Sequence, residues 1–331
     1  MTEVIVVTGA SAGLGRAIVE RFARDGSSIA LIARGRDRLE QARASVEALG
    51  GHALVLPLDV ADADAVERAA DIVERELGPI DVWINNAMVS VYSPIKEMPA
   101  AEFRRVTEVT YLGYVHGTLA ALKRMLPRDR GVIIQVGSAL AHRSIPLQSA
   151  YCASKHAILG FHESLLSELI HDGSRVRTTM VQMPAMNTPQ FDWAKSRLPR
   201  QTQPVPPIFQ PEVGADAVHH AVRTDVGREF LVAWPTVKAV LGEKLVPGYI
   251  DARLGRAGYA GEETSEPADP NRPDNLWSPA PGAYGAHGRF DDRSRDASVE
   301  LWLAKRKRWL TLGGAFIAGV ALSRIGGSKT R

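Results

Sequence analysis

Short apolar runs recur along the chain, and longer stretches of mixed apolar and polar residues separate them. The runs cover residues 4–7, 29–33, 53–58, 82–84, 132–136, 178–181 and 229–233. Runs of this length that do not alternate with polar residues are typical of strands buried on both faces of a parallel sheet. The stretches between them, such as 38–49 and 66–77, are long enough for crossover helices. The pattern predicts an α/β fold with a doubly wound parallel sheet.

Residues 185–211 interrupt this rhythm with several prolines and aromatic residues, among them Phe191, Trp193 and Phe209. The segment follows the sixth predicted strand, and ligands bind beyond the carboxyl ends of strands in this architecture. We therefore expect a lid over an apolar substrate rather than a merely irregular surface loop.

The chain changes character after residue 255. Residues 256–298 are rich in Gly, Pro, Asp and Arg and contain few branched aliphatic residues. Such a composition buries too little apolar surface to offset the entropy of ordering. We expect residues 1–255 to form a single catalytic domain, residues 256–298 a disordered linker, and residues 299–331 a basic and apolar C-terminal segment.

The C-terminal segment carries the basic charge of the chain. Residues 301–331 hold seven Lys and Arg residues and no acid. The uncharged stretch 309–322 would span about 21 Å as a helix, short of the ~30 Å hydrocarbon core of a membrane. The basic residues and the short apolar stretch within residues 301–324 therefore predict peripheral or tail-anchored contact with an anionic membrane. A helix packed on the domain or at an oligomer interface, and simple disorder, are the alternatives.

Charge and cysteine content narrow the class of protein. The charges of residues 1–255 balance, so no basic face for nucleic acid is expected. Cys152 is the single cysteine, which excludes an intrachain disulfide and is typical of a reducing compartment. The first apolar run begins too close to Met1 for a signal peptide. We expect a cytoplasmic protein and predict no metal site.

A glycine-rich turn follows the first predicted strand, and residues 8–15 read Thr-Gly-Ala-Ser-Ala-Gly-Leu-Gly. Glycines at such a turn let the backbone approach a pyrophosphate, whose charge the helix N-terminus then faces. A tight strand-to-helix turn without a ligand is the alternative. The predicted dinucleotide contacts are Gly9, Ser11, Gly13, Leu14 and Gly15.

Arg34 directly follows the second predicted strand, where an NAD-selective site usually has an acidic residue. Arg34, together with Arg16 or Arg36, would pair with a 2′-phosphate, so NADP(H) is predicted over NAD(H). A solvated arginine at a helix end is the alternative. Asp59, at the end of the third strand, is expected to bind the adenine amine or to cap the next helix.

Ser138, Tyr151 and Lys155 are the candidate catalytic residues. Tyr151 and Lys155 share a helix face, and Ser138 ends the fifth strand at the rim where cofactor and substrate meet. Hydride transfer to a carbonyl needs a matching proton, and an adjacent ammonium lowers a phenol pKa from its usual ~10. We expect Tyr151 to be the general acid and base, Lys155 to lower its pKa, and Ser138 to bind the substrate oxygen.

These motifs occur in the order found in the short-chain dehydrogenase/reductase family. The segment 8–15, the sequence Asn85-Asn86-Ala87, Ser138 and the segment 151–155 resemble that family over roughly residues 3–250. The resemblance implies a Rossmann-like domain of seven parallel strands, alcohol oxidation or carbonyl reduction, and assembly as a homodimer or homotetramer. Lys155 would also bind the nicotinamide ribose. Further implied cofactor contacts are Val60, Asn86, Ala87, Tyr151, Pro184 and Thr188.

Three positions depart from the family pattern. Thr110 stands where an asparagine usually completes a water-mediated proton relay, and we expect its hydroxyl to hold that water. Met88 and Ala185 replace glycines near the nicotinamide pocket. The leading hypothesis is an NADP(H)-dependent enzyme that interconverts a carbonyl and an alcohol on a lipophilic substrate. A non-catalytic NADP(H)-binding regulator or membrane scaffold, and an epimerase or dehydratase, are the alternatives.

Overall fold

Seven strands form the central sheet of the structure, a computed structural model that describes residues 2–306. They are β1 (Val4–Thr8), β2 (Ser28–Ala33), β3 (His52–Pro57), β4 (Val82–Asn85), β5 (Val132–Ser138), β6 (Arg177–Met183) and β7 (Glu229–Leu231). The order across the sheet is β7-β6-β5-β4-β1-β2-β3, and each neighbouring pair is parallel. The doubly wound, Rossmann-like parallel sheet predicted from the apolar runs is confirmed.

Helices cover both faces of this sheet. They are α1 (Gly13–Ala23), α2 (Arg36–Ala48), α3 (Ala63–Glu76), α4 (Ala100–Thr107), α5 (Gly113–Met125), α6 (Ser149–His171), α7 (Gln190–Trp193), α8 (Pro211–Arg223), α9 (Trp234–Leu245) and α10 (Pro247–Glu262). One π-helical turn, Glu108–Leu112, joins α4 to α5.

Strand β1 shows why the apolar runs are continuous. All five of its residues are buried. Ile5 and Val7 pack in the layer of α1, α2 and α8, whereas Val4 and Val6 pack in the opposite layer of α3, α4, α5 and α6. Because successive side chains point to opposite faces, a strand covered on both sides needs apolar residues at every position.

The strand order reverses between β1 and β4. The chain runs outward from β1 to β3 and then returns to pair β4 with β1, joining Ile5 to Val82 and Val7 to Ile84. In open α/β sheets ligands bind in the crevice outside the carboxyl ends of the strands at such a reversal. The fold therefore places a binding crevice beside the glycine-rich turn that follows β1.

Two segments outside the sheet hold each other. We call residues 185–211 the insert and residues 263–298 the strap. Arg200–Thr202 of the insert pairs with Glu263–Pro267 of the strap in antiparallel fashion. Ile208–Phe209 pairs with Ser294–Arg295 in parallel. The two segments thus form one covering layer over the carboxyl ends of the strands.

The structure corrects the prediction of a disordered linker over residues 256–298. Helix α10 runs through the predicted boundary at residue 255. The strap buries Leu276 and Phe290, which are 0% and 4% exposed. Leu276 joins the core on the α3 and α4 side, and Phe290 packs in a small cluster with the insert residues Phe191 and Ile208. Two apolar side chains therefore anchor a segment that is poor in aliphatic residues.

Arginines supply a further part of the contacts that hold the strap. Arg272 donates hydrogen bonds to the carbonyl oxygens of Phe191 at 2.9 Å and of Ala194 at 2.6 Å. Arg289 donates to the carbonyl oxygen of Thr202 at 2.7 Å. The amino-acid composition of the strap did not indicate that it is ordered, because the prediction considered only how much apolar surface the segment can bury. Here guanidinium groups bind backbone carbonyl groups of the insert.

The start of the C-terminal segment packs on the domain. Leu301 is buried in the same core cluster as Ala217 of α8, and Lys305 forms an ion pair with Asp216 at 2.5 Å. The apolar stretch 309–322, and most of the predicted membrane contact through 301–324, lie outside the described residues. None of the helices in residues 2–306 combines the length and the apolar character needed to cross a membrane.

Candidate active site

A cavity of about 480 Å³ lies at the carboxyl ends of the strands, between the glycine-rich turn, the insert and the strap. The predicted site residues line this cavity, except Thr110 and the two arginines considered as partners of Arg34, Arg16 and Arg36. The predicted residues that line it are Gly9, Ser11, Gly13, Leu14, Gly15, Arg34, Asp59, Val60, Asn86, Ala87, Ser138, Tyr151, Lys155, Pro184 and Thr188. The structure thus brings the predicted cofactor residues and the predicted catalytic residues into one space.

The glycine-rich turn can accept only glycine at two of its positions. Gly9 has a φ of +71°, and a Cβ added at Gly15 would lie 2.0 Å from the carbonyl oxygen of Gly9. Among the described residues no side chain caps Ala12 at the start of α1. The N–H of Gly13, the first residue of α1, donates instead to the carbonyl oxygen of Gly285 in the strap at 2.9 Å. The glycine-rich turn as a whole lines the cavity, and its remaining backbone fits a pyrophosphate group.

Asn86 braces this turn. Its backbone N–H donates to the hydroxyl of Thr8 at 2.9 Å, and its side-chain amide donates to the carbonyl oxygen of Thr8 at 2.9 Å. These bonds tie the carboxyl end of β1 to the segment that follows β4. The relative position of the two strand ends, on which the cofactor crevice depends, is thus fixed by one asparagine.

Ser138, Tyr151 and Lys155 converge at the middle of the cavity. Ser138 ends β5, and its hydroxyl oxygen accepts a hydrogen bond from the N–H of Leu140 at 3.2 Å. Tyr151 and Lys155 lie in the first two turns of α6, with the Lys155 Nζ 5.5 Å from the centre of the Tyr151 ring. Lys155 Nζ donates to the carbonyl oxygen of Val136 at 2.7 Å.

Burial shifts both titrating groups away from their charged forms. It raises the pKa of the Tyr151 phenol well above the usual value, and a hydrogen bond with Ser138 opposes this shift. Burial lowers the pKa of Lys155 to about 7. This differs from the expectation that Lys155 lowers the pKa of Tyr151, because the ammonium is directed at other oxygen atoms. Tyr151 therefore keeps its proton at neutral pH.

Tyr114 is a site residue that the sequence analysis missed. It is buried on α5, its hydroxyl donates to the carbonyl oxygen of Val136 at 3.0 Å, and it accepts from Lys155 Nζ at 3.0 Å. Tyr114 and Val136 together hold the ammonium in place. The π-helical turn just before α5 changes the helical register, so spacing from Thr110 could not have shown which side chain reaches Lys155.

The expectation that Thr110 takes part in a proton relay is corrected. Thr110 is fully buried within the π-helical turn. Its hydroxyl donates to the carbonyl oxygen of Val89 at 2.9 Å and accepts from the N–H of Val89 at 3.1 Å. Because Thr110 does not line the cavity and its hydroxyl bonds twice to Val89, it secures the segment after β4 rather than facing the cavity.

The strap contacts Arg34. The guanidinium of Arg34 donates to the carbonyl oxygens of Leu276 at 3.3 Å and Asn275 at 2.5 Å. Arg16 instead pairs with Glu20 at 2.7 Å on its own helix. Arg36 lies 3.6 Å from Glu40 and its side chain is 65% exposed. Neither Arg16 nor Arg36 lines the cavity, so the expected pairing of either one with Arg34 is corrected.

Arg38 takes the place that the sequence analysis gave to Arg16 or Arg36. It lines the cavity, and its guanidinium carbon lies 5.0 Å from the centre of the Trp193 ring of the insert. Its Nη1 atom is buried and has no hydrogen-bond partner in residues 2–306. Arg38 was not among the predicted 2′-phosphate residues, because it lies one helical turn beyond the end of β2 rather than directly after it.

Asp59 lies at the same end of the cavity. Its carboxylate accepts from the N–H of Ala61 at 3.0 Å and pairs with Arg105. The cap of α3 is Asp62, which accepts from the N–H of Ala65 at 2.9 Å. Of the two roles expected for Asp59, the helix cap is therefore wrong, and adenine binding stays a prediction.

Comparison with known proteins gives the family. The short chain dehydrogenase family matches residues 3–197. The chain is 27% identical over 320 residues to the uncharacterized oxidoreductase YxnA of Bacillus subtilis, covering 96% of this chain and 88% of that protein. It is 30% identical over 222 residues to a fatty acyl-CoA reductase of Acinetobacter baylyi, covering 66% of this chain and 72% of that protein.

A solved structure shows the same fold. An alcohol dehydrogenase from the archaeon Thermococcus sibiricus, complexed with 5-hydroxy-NADP, superposes with a TM-score of 0.61 at 28% identity and covers 70% of this chain and 96% of its own. The family match spans more than half of the described fold and includes the glycine-rich turn, Tyr151 and Lys155. The chain belongs to the short-chain dehydrogenase/reductase family and is an NAD(P)-dependent oxidoreductase.

Proposed function

We propose that this protein interconverts a carbonyl and an alcohol on an apolar substrate with NADP(H), and that Tyr151 is its general acid and base. The observation that carries the proposal is that Ser138, Tyr151 and Lys155 line the same cavity as the glycine-rich turn. Three polar side chains from two elements meet there beside a turn that fits a pyrophosphate.

The cofactor, when bound, supplies or accepts the hydride. The chain's own residues do the rest. The glycine-rich turn binds the pyrophosphate, Lys155 binds the nicotinamide ribose, and Pro184 and Thr188 border the nicotinamide end. These assignments follow from the family resemblance and from the place of each residue along the cavity.

The proton chemistry follows from burial. A phenol that keeps its proton can donate it to the substrate oxygen as the carbonyl is reduced, and the raised pKa of Tyr151 is consistent with this role. Ser138 holds the substrate oxygen next to the phenol. Lys155 is held by Tyr114 and Val136 with its Nζ 5.5 Å from the centre of the Tyr151 ring, and its proposed role there is to bind the nicotinamide ribose.

A preference for NADP(H) is supported by the arginines after β2. Arg34 and Arg38 both line the cavity. The carbonyl groups that Arg34 binds are neutral, so these hydrogen bonds leave its positive charge in place, next to the charges of Asp59 and Arg38. The buried Nη1 of Arg38 is available to a phosphate oxygen. The Thermococcus relative was solved with an NADP derivative, which agrees with this preference.

An apolar substrate is supported by the insert. Phe191 and Val205 of the insert line the cavity, as do Met88 and Ala185, whereas Trp193 lies over Arg38. The similarity to a fatty acyl-CoA reductase points to the same class. Aromatic and aliphatic walls of this kind bind apolar ligands and leave orientation to a few polar groups.

The proposal includes a cytoplasmic homodimer or homotetramer with peripheral membrane contact through residues 301–324. Assembly is supported by exposed apolar side chains on α5 and α6, where Leu119 and Ile170 are 57% and 71% exposed. Membrane contact is supported by the basic residues of the tail. Sedimentation with anionic vesicles tests the membrane contact. Sedimentation equilibrium tests the assembly into a dimer or tetramer.

The test of the main proposal is NADPH oxidation with a panel of apolar ketones and aldehydes. The wild type is expected to reduce some members of the panel, and Tyr151→Phe is expected to lower kcat by about a thousandfold because the proton donor is lost. NADPH affinity, measured by fluorescence titration, should change little and serves as the folding control. Equal turnover by both proteins would exclude Tyr151 as the acid, and NADPH binding without any turnover would favour the non-catalytic regulator.

A further inference from the structure

Glu262 is a buried carboxyl at the substrate end of the cavity. It is the last residue of α10, is 1% exposed, and lines the cavity together with Tyr151 and Gln148. It lies outside residues 3–197, which the family matches. The proposed reaction uses Ser138, Tyr151 and Lys155, so it leaves Glu262 without a role.

The hydrogen bonding of Glu262 is only half complete. Its Oε2 accepts from the side-chain amide of Gln148 at 2.9 Å. Its Oε1 is buried and has no hydrogen-bond partner in residues 2–306. Buried polar atoms in folded proteins are almost always paired, and an unpaired one needs an explanation. A ligand in the adjoining cavity supplies the missing partner most directly.

The carboxyl of Glu262 is a hydrogen-bond donor at neutral pH. Burial raises its pKa to about 8, against the opposing hydrogen bond from Gln148. The titratable groups that interact with it, Tyr92 and Cys152, also have pKa values raised by burial and are neutral. Arg272 acts on Tyr92. Because the Gln148 amide donates to Oε2, the proton of the carboxyl sits on Oε1.

We propose that Glu262 selects substrates that carry a second oxygen atom besides the reacting carbonyl, by donating a hydrogen bond to that oxygen. The substrate class is then an apolar ketone or aldehyde with a hydroxyl, ester or second carbonyl group. The inference rests on the proposed function, since both use one cavity. Glu262 touches the far part of the substrate and no reacting atom, so it is a specificity residue.

The experiment compares a medium-chain methyl ketone with a series of its hydroxylated analogues that differ in the position of the hydroxyl. The measured quantity is the preference, the ratio of kcat/KM for the best hydroxylated ketone to kcat/KM for the plain ketone, with NADPH. The variants are Glu262→Gln, which keeps an N–H donor of the same length, and Glu262→Leu, which removes it at similar volume.

The wild type is expected to prefer one hydroxylated ketone by about 10–30-fold, the value of a buried hydrogen bond. Glu262→Gln should keep this preference within about threefold, and Glu262→Leu should abolish it. The wild-type preference should fall as the pH rises through about 8, because the carboxylate cannot donate. The Glu262→Gln preference should not change with pH. Titration of Tyr151 and Lys155 affects both ketones and cancels in the ratio.

Two results would overturn the inference. If Glu262→Leu lowers kcat/KM for both ketones equally, the preference is unchanged and Glu262 is only structural. If the wild type prefers an amino ketone and Glu262→Gln loses that preference, the carboxylate binds a cation instead. Failure of the proposed function has another signature, because then no ketone of either kind oxidises NADPH, and the inference falls with it.

Discussion

The sheet and the strap are both ordered parts of the chain, but different kinds of contact hold them in place. The sheet strands are apolar at nearly every position, and burial on both faces fixes them. The strap has few buried apolar side chains, chiefly Leu276 and Phe290. It is held besides by strand pairing with the insert, by ion pairs such as that of Lys195 with Asp274, and by arginines bound to carbonyl groups. Hydropathy patterns predict the buried strands of the sheet but not the ordered strap. Every residue has a backbone carbonyl group, so the sequence does not show which of these groups accept hydrogen bonds from arginines.

The two regions also divide the site. The sheet supplies the strand ends that carry Ser138 and the glycine-rich turn, whereas the strap closes the cavity from above. The carbonyl oxygen of Gly285 accepts from the N–H of Gly13 at 2.9 Å, and the strap backbone binds Arg34. The sheet and helix α6 therefore carry the candidate catalytic residues, and the insert and the strap supply further walls of the cavity.

The largest expected effect tests whether the strap is truly packed. Phe290→Ala should lower the free energy of unfolding by about 3 kcal/mol, because it empties the cluster that joins the strap to Phe191. Denaturant unfolding measures this loss. Val299→Ala is the matched control, since Val299 is 69% exposed, and it should change stability by less than about 0.5 kcal/mol.

Equal stability of the two variants would contradict the packed strap and restore the disordered linker. The comparison would then reduce to a sheet with an appended flexible chain. A loss confined to Phe290→Ala would instead show that the strap folds with the domain, because a single cooperative transition would include both regions.

A smaller effect is expected for the arginines after β2. Arg38→Ala should weaken NADPH binding about tenfold and leave NADH binding within about twofold, because only NADPH carries a 2′-phosphate. Arg36→Ala is the control, as Arg36 lies outside the cavity beside Glu40. Fluorescence titration of the wild type and the two variants with both cofactors measures the six affinities. Equal weakening of NADPH and NADH by Arg38→Ala would assign Arg38 to packing under Trp193 alone.

The smallest expected effect concerns Tyr114 of α5, whose hydroxyl donates to a carbonyl oxygen of the central sheet. Tyr114→Phe removes an acceptor from Lys155, so the pKa of Lys155 should fall further below about 7. The ammonium form is then scarcer at high pH. We expect kcat/KM to fall about fivefold at the alkaline end of its pH profile and less at the acid end. A loss of the same size at every pH would show that Tyr114 acts only on packing.

The strand pattern, the glycine-rich turn and the pairing of Tyr151 with Lys155 could be predicted because each depends on local spacing. The α/β sheet and the meeting of these residues in one cavity follow from that spacing. Thr110 and Arg16 were misassigned because their partners, Val89 and Glu20, decide where each side chain goes.

Tyr114 and Glu262 escaped prediction for a further reason. A π-helical turn sets the direction of Tyr114, and the position of Glu262 depends on α10, which lies far along the chain from Gln148. Sequence spacing carries no information on either. Such residues become visible only when distant elements have been placed against one another.

The arginine hold on the strap has a consequence for any titration of this enzyme. Guanidinium groups stay charged and amide carbonyls stay neutral across the working pH range, so the bonds of Arg272 to Phe191 and Ala194 do not titrate. They are also less sensitive to salt than pairs of exposed opposite charges. These arginine contacts thus persist while Lys155 and Glu262 change protonation, and a contact of the strap that does titrate is that of His287, which pairs with Glu212 of α8 and with Asp291.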